Sequence, residues 1–115
     1  MTAAASEKQA RPGSMVYLAE HHPRIAEAFL HGVREAVDTA GPLDAKTREL
    51  VLLGAYTAAR HPHAFKVHCR RALENGASAA EVRHAVLMTF GAPVPLEPVV
   101  DALMWCDDVI AEVGT

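Results

Sequence analysis

Residues 43–76, LDAKTRELVLLGAYTAARHPHAFKVHCRRALENG, read as two helices back to back. Asp44 can cap the first, its carboxylate taking up backbone N–H groups that have no partner inside the helix. The helix should run through TRELVLLGAYTAAR, with Leu50, Leu53, Gly54, Thr57 and Ala58 as a small-residue seam that admits a close neighbour. Proline suits a first helical position because its missing N–H would be unpaired there anyway. Pro62 therefore starts the second helix, His61 falls at or near its N-cap, and Gly76 supplies the left-handed residue that ends it.

Working outward, the chain has 115 residues, half of them hydrophobic and 5% aromatic, a mix that suits close-packed helices better than a sandwich of sheets. The expectation is an all-α domain of about five to six helices over residues 15–115, preceded by a flexible leader over 1–14. Met15, Val16, Tyr17 and Leu18 form a short apolar anchor. After His22-Pro23, the residues Ile25, Phe29, Gly32, Val33 and Val37 recur at helical spacing until Gly41-Pro42. Downstream, Ser78-x-x-Glu81 is a capping box opening a helix with Val82, Ala85, Val86, Met88 and Phe90, which Gly91 ends. A proline-rich linker, APVPLEP, leads to a last helix over 97–112 carrying Val99, Leu103, Cys106, Val109 and Ile110.

Composition excludes several classes. A formal charge of −3, with no basic arm or face, argues against a nucleic-acid partner. No run approaches the ~20 apolar residues of a membrane span. Cys69 and Cys106 belong to no metal-type CxxC pair and read as thiols of a reducing compartment, so a cytoplasmic location is expected.

Glu49, flanked by Leu50 to Leu53, should project near the border of an apolar face, where a carboxylate partly withdrawn from water is suited to proton exchange. The competing reading pairs it with Lys46 on the surface. On the second helix, His61, Ala64, Phe65, His68 and Ala72 share a face while His63 points away. His68 is thus either a hydrogen-bonded core histidine or a proton carrier. A metal site is not expected: His61 and His68 lie ~10 Å apart along the axis, too far to share one ion. Cys69 diverges from its neighbour His68 around the helix and reads as a buried packing thiol. His21, His22, His31 and His84 show no partner pattern and read as surface or capping residues.

GPLDAKTRELVLLGAYTAAR, the histidine at 68 and RRALENGASAAEVRHAV together resemble the carboxymuconolactone decarboxylase family, which includes the alkyl hydroperoxidase D-like proteins. The resemblance spans roughly residues 23–109. It implies an all-helical oligomeric domain of the alkyl hydroperoxidase D-like type, with Glu49 and His68 at the positions of the motif glutamate and histidine. The redox cysteines of the peroxidase branch would fall at His61 and Ala64. Peroxide reduction needs one thiolate to attack and a second thiol to resolve the product as a disulfide, and Ala64 can do neither.

The decarboxylase branch does without that cysteine pair. It implies cofactor-free acid–base work on a small organic acid or lactone, with His68 as the histidine that branch keeps. Glu49, His61 and His68 are the candidate catalytic set, His61 being a departure from the branch. In this reading His68 carries the proton and Glu49 sets its tautomer. His61, at a helix N-terminus, donates a hydrogen bond to a substrate oxygen, and the free N–H groups there hold a carboxylate. Tyr56 is either a further donor or a packed tyrosine. The implied assembly is a homo-oligomer, a trimer or hexamer. Two alternatives stay open: a thiol peroxidase working through Cys69, and a non-catalytic oligomeric protein that binds a small molecule.

Overall fold

The structure, a computed structural model, describes residues 13–114, and these are helical with no regular strand; the one sheet-like feature is an isolated bridge between Phe90 and Val94. The expected leader therefore lies outside the described residues up to position 12. Its last residue, Ser14, already belongs to a helix.

By its internal contacts the chain divides into two compact units, with the boundary between Pro42 and Leu43. The break falls where Gly41 and Pro42 interrupt the helical pattern. In the first unit, α1 (Ser14–His21) includes the four residues expected as an apolar anchor. Helix α2 starts at Pro23 as expected but is not uniform: Pro23–Ala28 passes through a π-helical stretch, Phe29–Arg34, into Glu35–Asp38. Only Ala26 is buried among its residues, while Ile25, Phe29, Val33 and Val37 stay exposed. The repeat of apolar residues is real, yet among the described residues of this unit it builds no core.

The second unit holds α3 (Ala45–Ala59), α4 (Pro62–Glu74), α5 (Ala79–Leu87) and α6 (Leu96–Val113). Their starts follow the local chemistry. Asp44 accepts the Thr47 N–H at 2.8 Å. Ser78 and Glu81 close a reciprocal capping box, each side chain meeting the other's backbone N–H. Pro62 sits in the first turn of α4 with His61 as N-cap.

The turn between α3 and α4 has no glycine. Arg60 takes the left-handed conformation (φ 58°, ψ 47°), its N–H reaching the Thr57 carbonyl at 3.3 Å while the His61 N–H reaches Tyr56 at 3.2 Å. This double bond pattern is a Schellman closure. It satisfies the end of α3 and reverses the chain within two residues, so α3 and α4 make the most extensive contact in the fold.

Behind that hairpin, Leu53, Phe65, Cys69, Ala72, Val82, Val86, Val99, Ala102, Cys106 and Val109 form a core closed to solvent on nearly every side chain. Phe65 meets Trp105 edge to face at 5.4 Å between centroids. Thr57 is fully buried without cost, because its hydroxyl donates to the Leu53 carbonyl at 2.8 Å. Of the expected α3 seam, Leu53 and Thr57 are buried, Leu50 packs against the core, Gly54 brings the helix near Thr89 and the Ala85 carbonyl, and Ala58 is exposed. Ion pairs Lys66–Asp108, Arg70–Glu112 and Arg83–Asp107 bind α4 and α5 to α6 at the rim.

Two measurements check this account. An L-residue held in the left-handed region costs about 1–2 kcal/mol, partly offset by the entropy glycine loses on folding. Arg60→Gly should therefore raise unfolding stability by up to about 1 kcal/mol, read from a urea midpoint. The Thr47 hydroxyl and N–H hold Asp44 below the usual carboxylate range, Ser78 and Lys46 do so for Glu81, and Arg70 for Glu112. Each folded value lies below its unfolded one, so the associated stability is full above about pH 4.5. It should be lost as pH falls through the folded values, seen as a declining urea midpoint.

Candidate functional site

Glu49 lies one turn into α3 and His68 two turns into α4, and the reversal at Arg60 brings them side by side. Glu49 and Tyr56 are seven residues apart, as are His61 and His68. Counting outward from the turn, Tyr56 therefore comes level with His61, and Glu49 with His68. Seven residues are about two helical turns, so each pair of partners also stays on one face.

The Glu49 Oε1 and His68 Nδ1 atoms are 2.6 Å apart, with side-chain exposures of 16% and 14%. This is a short, charge-assisted contact held mostly out of water. An ionised carboxylate only accepts, so against such a carboxylate the ring nitrogen facing Glu49 is the donor. Lys46, the competing partner for Glu49, instead reaches Glu81 at 3.2 Å.

Tyr56 is a ring neighbour of both histidines. It stacks on His68 with centroids 5.2 Å apart and planes 23° from parallel. It also meets His61 edge to face at 6.3 Å. His61 itself is exposed at the mouth of α4 and makes no side-chain cap. The first helical bond of α4 runs from the Phe65 N–H to the His61 carbonyl at 2.9 Å, which leaves the N–H groups of His63 and Ala64 ahead of it. Both expected histidines thus meet one aromatic ring, and Glu49 joins them through its contact with His68. Tyr56 enters as a packing surface, a role that its spacing from Glu49 could have signalled.

Other groups fall outside this cluster. His63 is exposed on α4, and among the described residues no three His, Cys, Asp or Glu side chains are grouped to hold a metal ion. A groove of about 440 Å³ between α3 and α5, lined by Leu50, Val51, Gly54, Ala85, Met88 and Thr89, includes neither Glu49 nor His68. His21 stacks on Tyr17, and His31 lies 3.9 Å from Glu35, both at the surface.

A model of the carboxymuconolactone decarboxylase family matches residues 23–93. The chain belongs to the carboxymuconolactone decarboxylase family. No curated protein and no solved structure matches it. The matched region contains Glu49, Tyr56, His61 and His68 and ends before α6. Within this family member, Ala64 is half-buried in the first turn of α4, and no sulfur occupies either position where the resemblance would put a redox cysteine.

The sulfurs lie deeper. Cys69 on α4 and Cys106 on α6 are both free and fully buried, and Cys106 also approaches the Val82 carbonyl at 4.0 Å. The neighbouring Cys106 thiol holds Cys69 below the usual thiol range, while Cys69 and burial push the Cys106 thiol up. That pairing across helices was invisible in the sequence, where the two are 37 positions apart. Reactivity needs access as well as thiolate character. In the native protein neither thiol should react with an aromatic disulfide reagent, and both should react once it is unfolded in denaturant.

Proposed function

We propose that this family member is a cofactor-free acid–base enzyme, of the decarboxylase, lyase or isomerase type, acting on a small organic acid or lactone. The observation that carries the reading is the half-buried Glu49–His68 contact at 2.6 Å. Glu49 fixes the proton on Nδ1 and stabilises the imidazolium that forms when Nε2 accepts a second proton. Nε2 then alternates between base and acid at one place, which is what moving a proton on and off a carbon requires.

Loss of carbon dioxide from an acid leaves an electron pair on carbon that must be delocalised and protonated. In the proposed mechanism the His68 imidazolium delivers that proton from Nε2. The His61 imidazole and the N–H groups of His63 and Ala64 hold the substrate carboxylate before it leaves, aided by the positive end of α4. Burial of Cys69 among core residues supports this reading over a thiol peroxidase, which needs an accessible sulfur.

The functional form is proposed to be a homo-oligomer, a trimer or hexamer by family resemblance, in the cytoplasm. Exposed apolar side chains support assembly: Ile25 and Val33 in the first unit, Met88, Phe90 and Leu96 in the second.

The test is a screen of small carboxylic acids and lactones, scored by thermal shift and then by product formation. A ligand that stabilises the native state raises the melting temperature by mass action. For a converted compound, His68→Ala should lower kcat/KM by about 10²–10⁴-fold, and Glu49→Gln should lower it too. Binding without conversion would favour the non-catalytic alternative. Conversion that survives His68→Ala would remove the dyad from the chemistry.

A further inference from the structure

Tyr56 is the one member of the cluster whose part the proposed acid–base chemistry leaves open. It sits two turns after Glu49 on the same face of α3, so a single helix presents both groups to His68. Glu49 holds one edge of the imidazole through Nδ1. Tyr56 covers one face of the same ring, 5.2 Å away and 23° from parallel.

A hydrogen bond at one edge fixes where that nitrogen lies but leaves the ring able to rock about the bond. A stacked ring removes that motion, because rocking lifts the imidazole off the aromatic face and loses contact area. The Tyr56 ring is itself constrained: its helix ends one turn later in the Arg60 closure, its own carbonyl accepts the His61 N–H at 3.2 Å, and the His61 ring abuts its edge. The Tyr56 side chain makes no hydrogen bond among the described residues, so the contact with His68 is made by the ring and not by the hydroxyl.

We propose that Tyr56 is a positioning residue for His68, acting through its ring to hold the imidazole plane so that Nε2 presents a fixed edge while Glu49 selects the tautomer. The two tasks are separable: Glu49 sets which nitrogen carries the proton, and Tyr56 sets how firmly the ring is held. This assignment rests on the acid–base reading of the Glu49–His68 pair, and the experiment distinguishes failure of either.

The experiment is NMR of the full chain with ¹⁵N- and ¹³C-labelled histidine, at mildly alkaline pH. Long-range ¹H–¹⁵N correlations report the His68 tautomer and ¹³C relaxation reports the order of its ring. Wild type, Tyr56→Phe, Tyr56→Leu and Glu49→Gln are compared. In wild type His68 should be protonated at Nδ1 and its ring should be as ordered as rigid backbone, with an order parameter of about 0.85. Tyr56→Phe should keep both properties. Tyr56→Leu should keep Nδ1 protonated while the order parameter falls below about 0.6. Glu49→Gln should do the reverse, mixing the tautomers while the ring stays ordered.

Wild-type order in Tyr56→Leu would overturn the positioning role and leave Tyr56 as packing. A Tyr56→Phe variant as loose as Tyr56→Leu would overturn the assignment to the ring and transfer it to the hydroxyl. If Tyr56→Leu does not fold, Glu49→Gln decides: an ordered ring supports Tyr56, and a disordered one overturns it. A wild-type His68 protonated at Nε2 would instead sink the acid–base reading itself, whatever Tyr56 does.

Discussion

The left-handed turn at Arg60 is the constraint on which the site depends. A helix hairpin joined by so short a link has one register, and that register is what lets Glu49 meet His68. One added residue would rotate α4 by about 100° and advance it by about 1.5 Å. The carboxylate and imidazole would then face different neighbours. Because Arg60 has a Cβ, the turn stores strain that the surrounding closure must offset. The two backbone bonds into Thr57 and Tyr56 do so, together with the burial of Thr57 and Leu53 just before them.

The same hairpin divides its surface by depth. Leu53 and Thr57 on α3, with Phe65, Cys69 and Ala72 on α4, lie fully inside. Glu49, Tyr56 and His68 lie one step around each helix, at the border between core and solvent. A fully buried carboxylate would lose its charge, and a fully exposed one would have its attraction for an imidazole screened by water. At this depth the pair keeps a short contact while each side chain stays partly exposed. Cys69 shows how sharp the division is: it follows His68 directly in the chain, yet belongs to the core and pairs with a sulfur on another helix.

Much of this was legible in the sequence because it is local. Asp44, Ser78 with Glu81, and Pro62 announce helix starts through hydrogen bonds spanning three or four residues, and each start is found where they put it. Glu49, His61 and His68 were legible through periodicity and resemblance. The resemblance had Glu49 setting the His68 tautomer, but the local pattern left Glu49 a competitor in Lys46 at three residues' distance. Tertiary packing resolved that competition by giving Lys46 to Glu81, 35 residues away. The Tyr56 stack, the Cys69–Cys106 pair and the division at Pro42 escaped for the same reason, because each depends on how helices lie together. Nor did apolar spacing in α2 predict burial: Ile25 and Val33 repeat as a core face would and remain 60% and 57% exposed.

The departure at positions 61 and 64 also has a physical logic. A helix N-terminus offers unpaired N–H groups and a partial positive charge, and these favour any anion placed against them. Where a CxxC pair stands, the anion favoured is a thiolate, and the helix end lowers the cost of making it. With His61 and Ala64 the chain supplies no anion of its own there, while the Pro62 ring leaves the later N–H groups free. In the proposed function the same field acts on a carboxylate brought by the substrate. Two turns along, the Glu49–His68 pair lies on the same side of α4, where the proposed function has it receive or deliver a proton. On that proposal, a helix end without the sulfurs keeps its electrostatics and changes what they act upon, from a group of the protein to a group of the substrate.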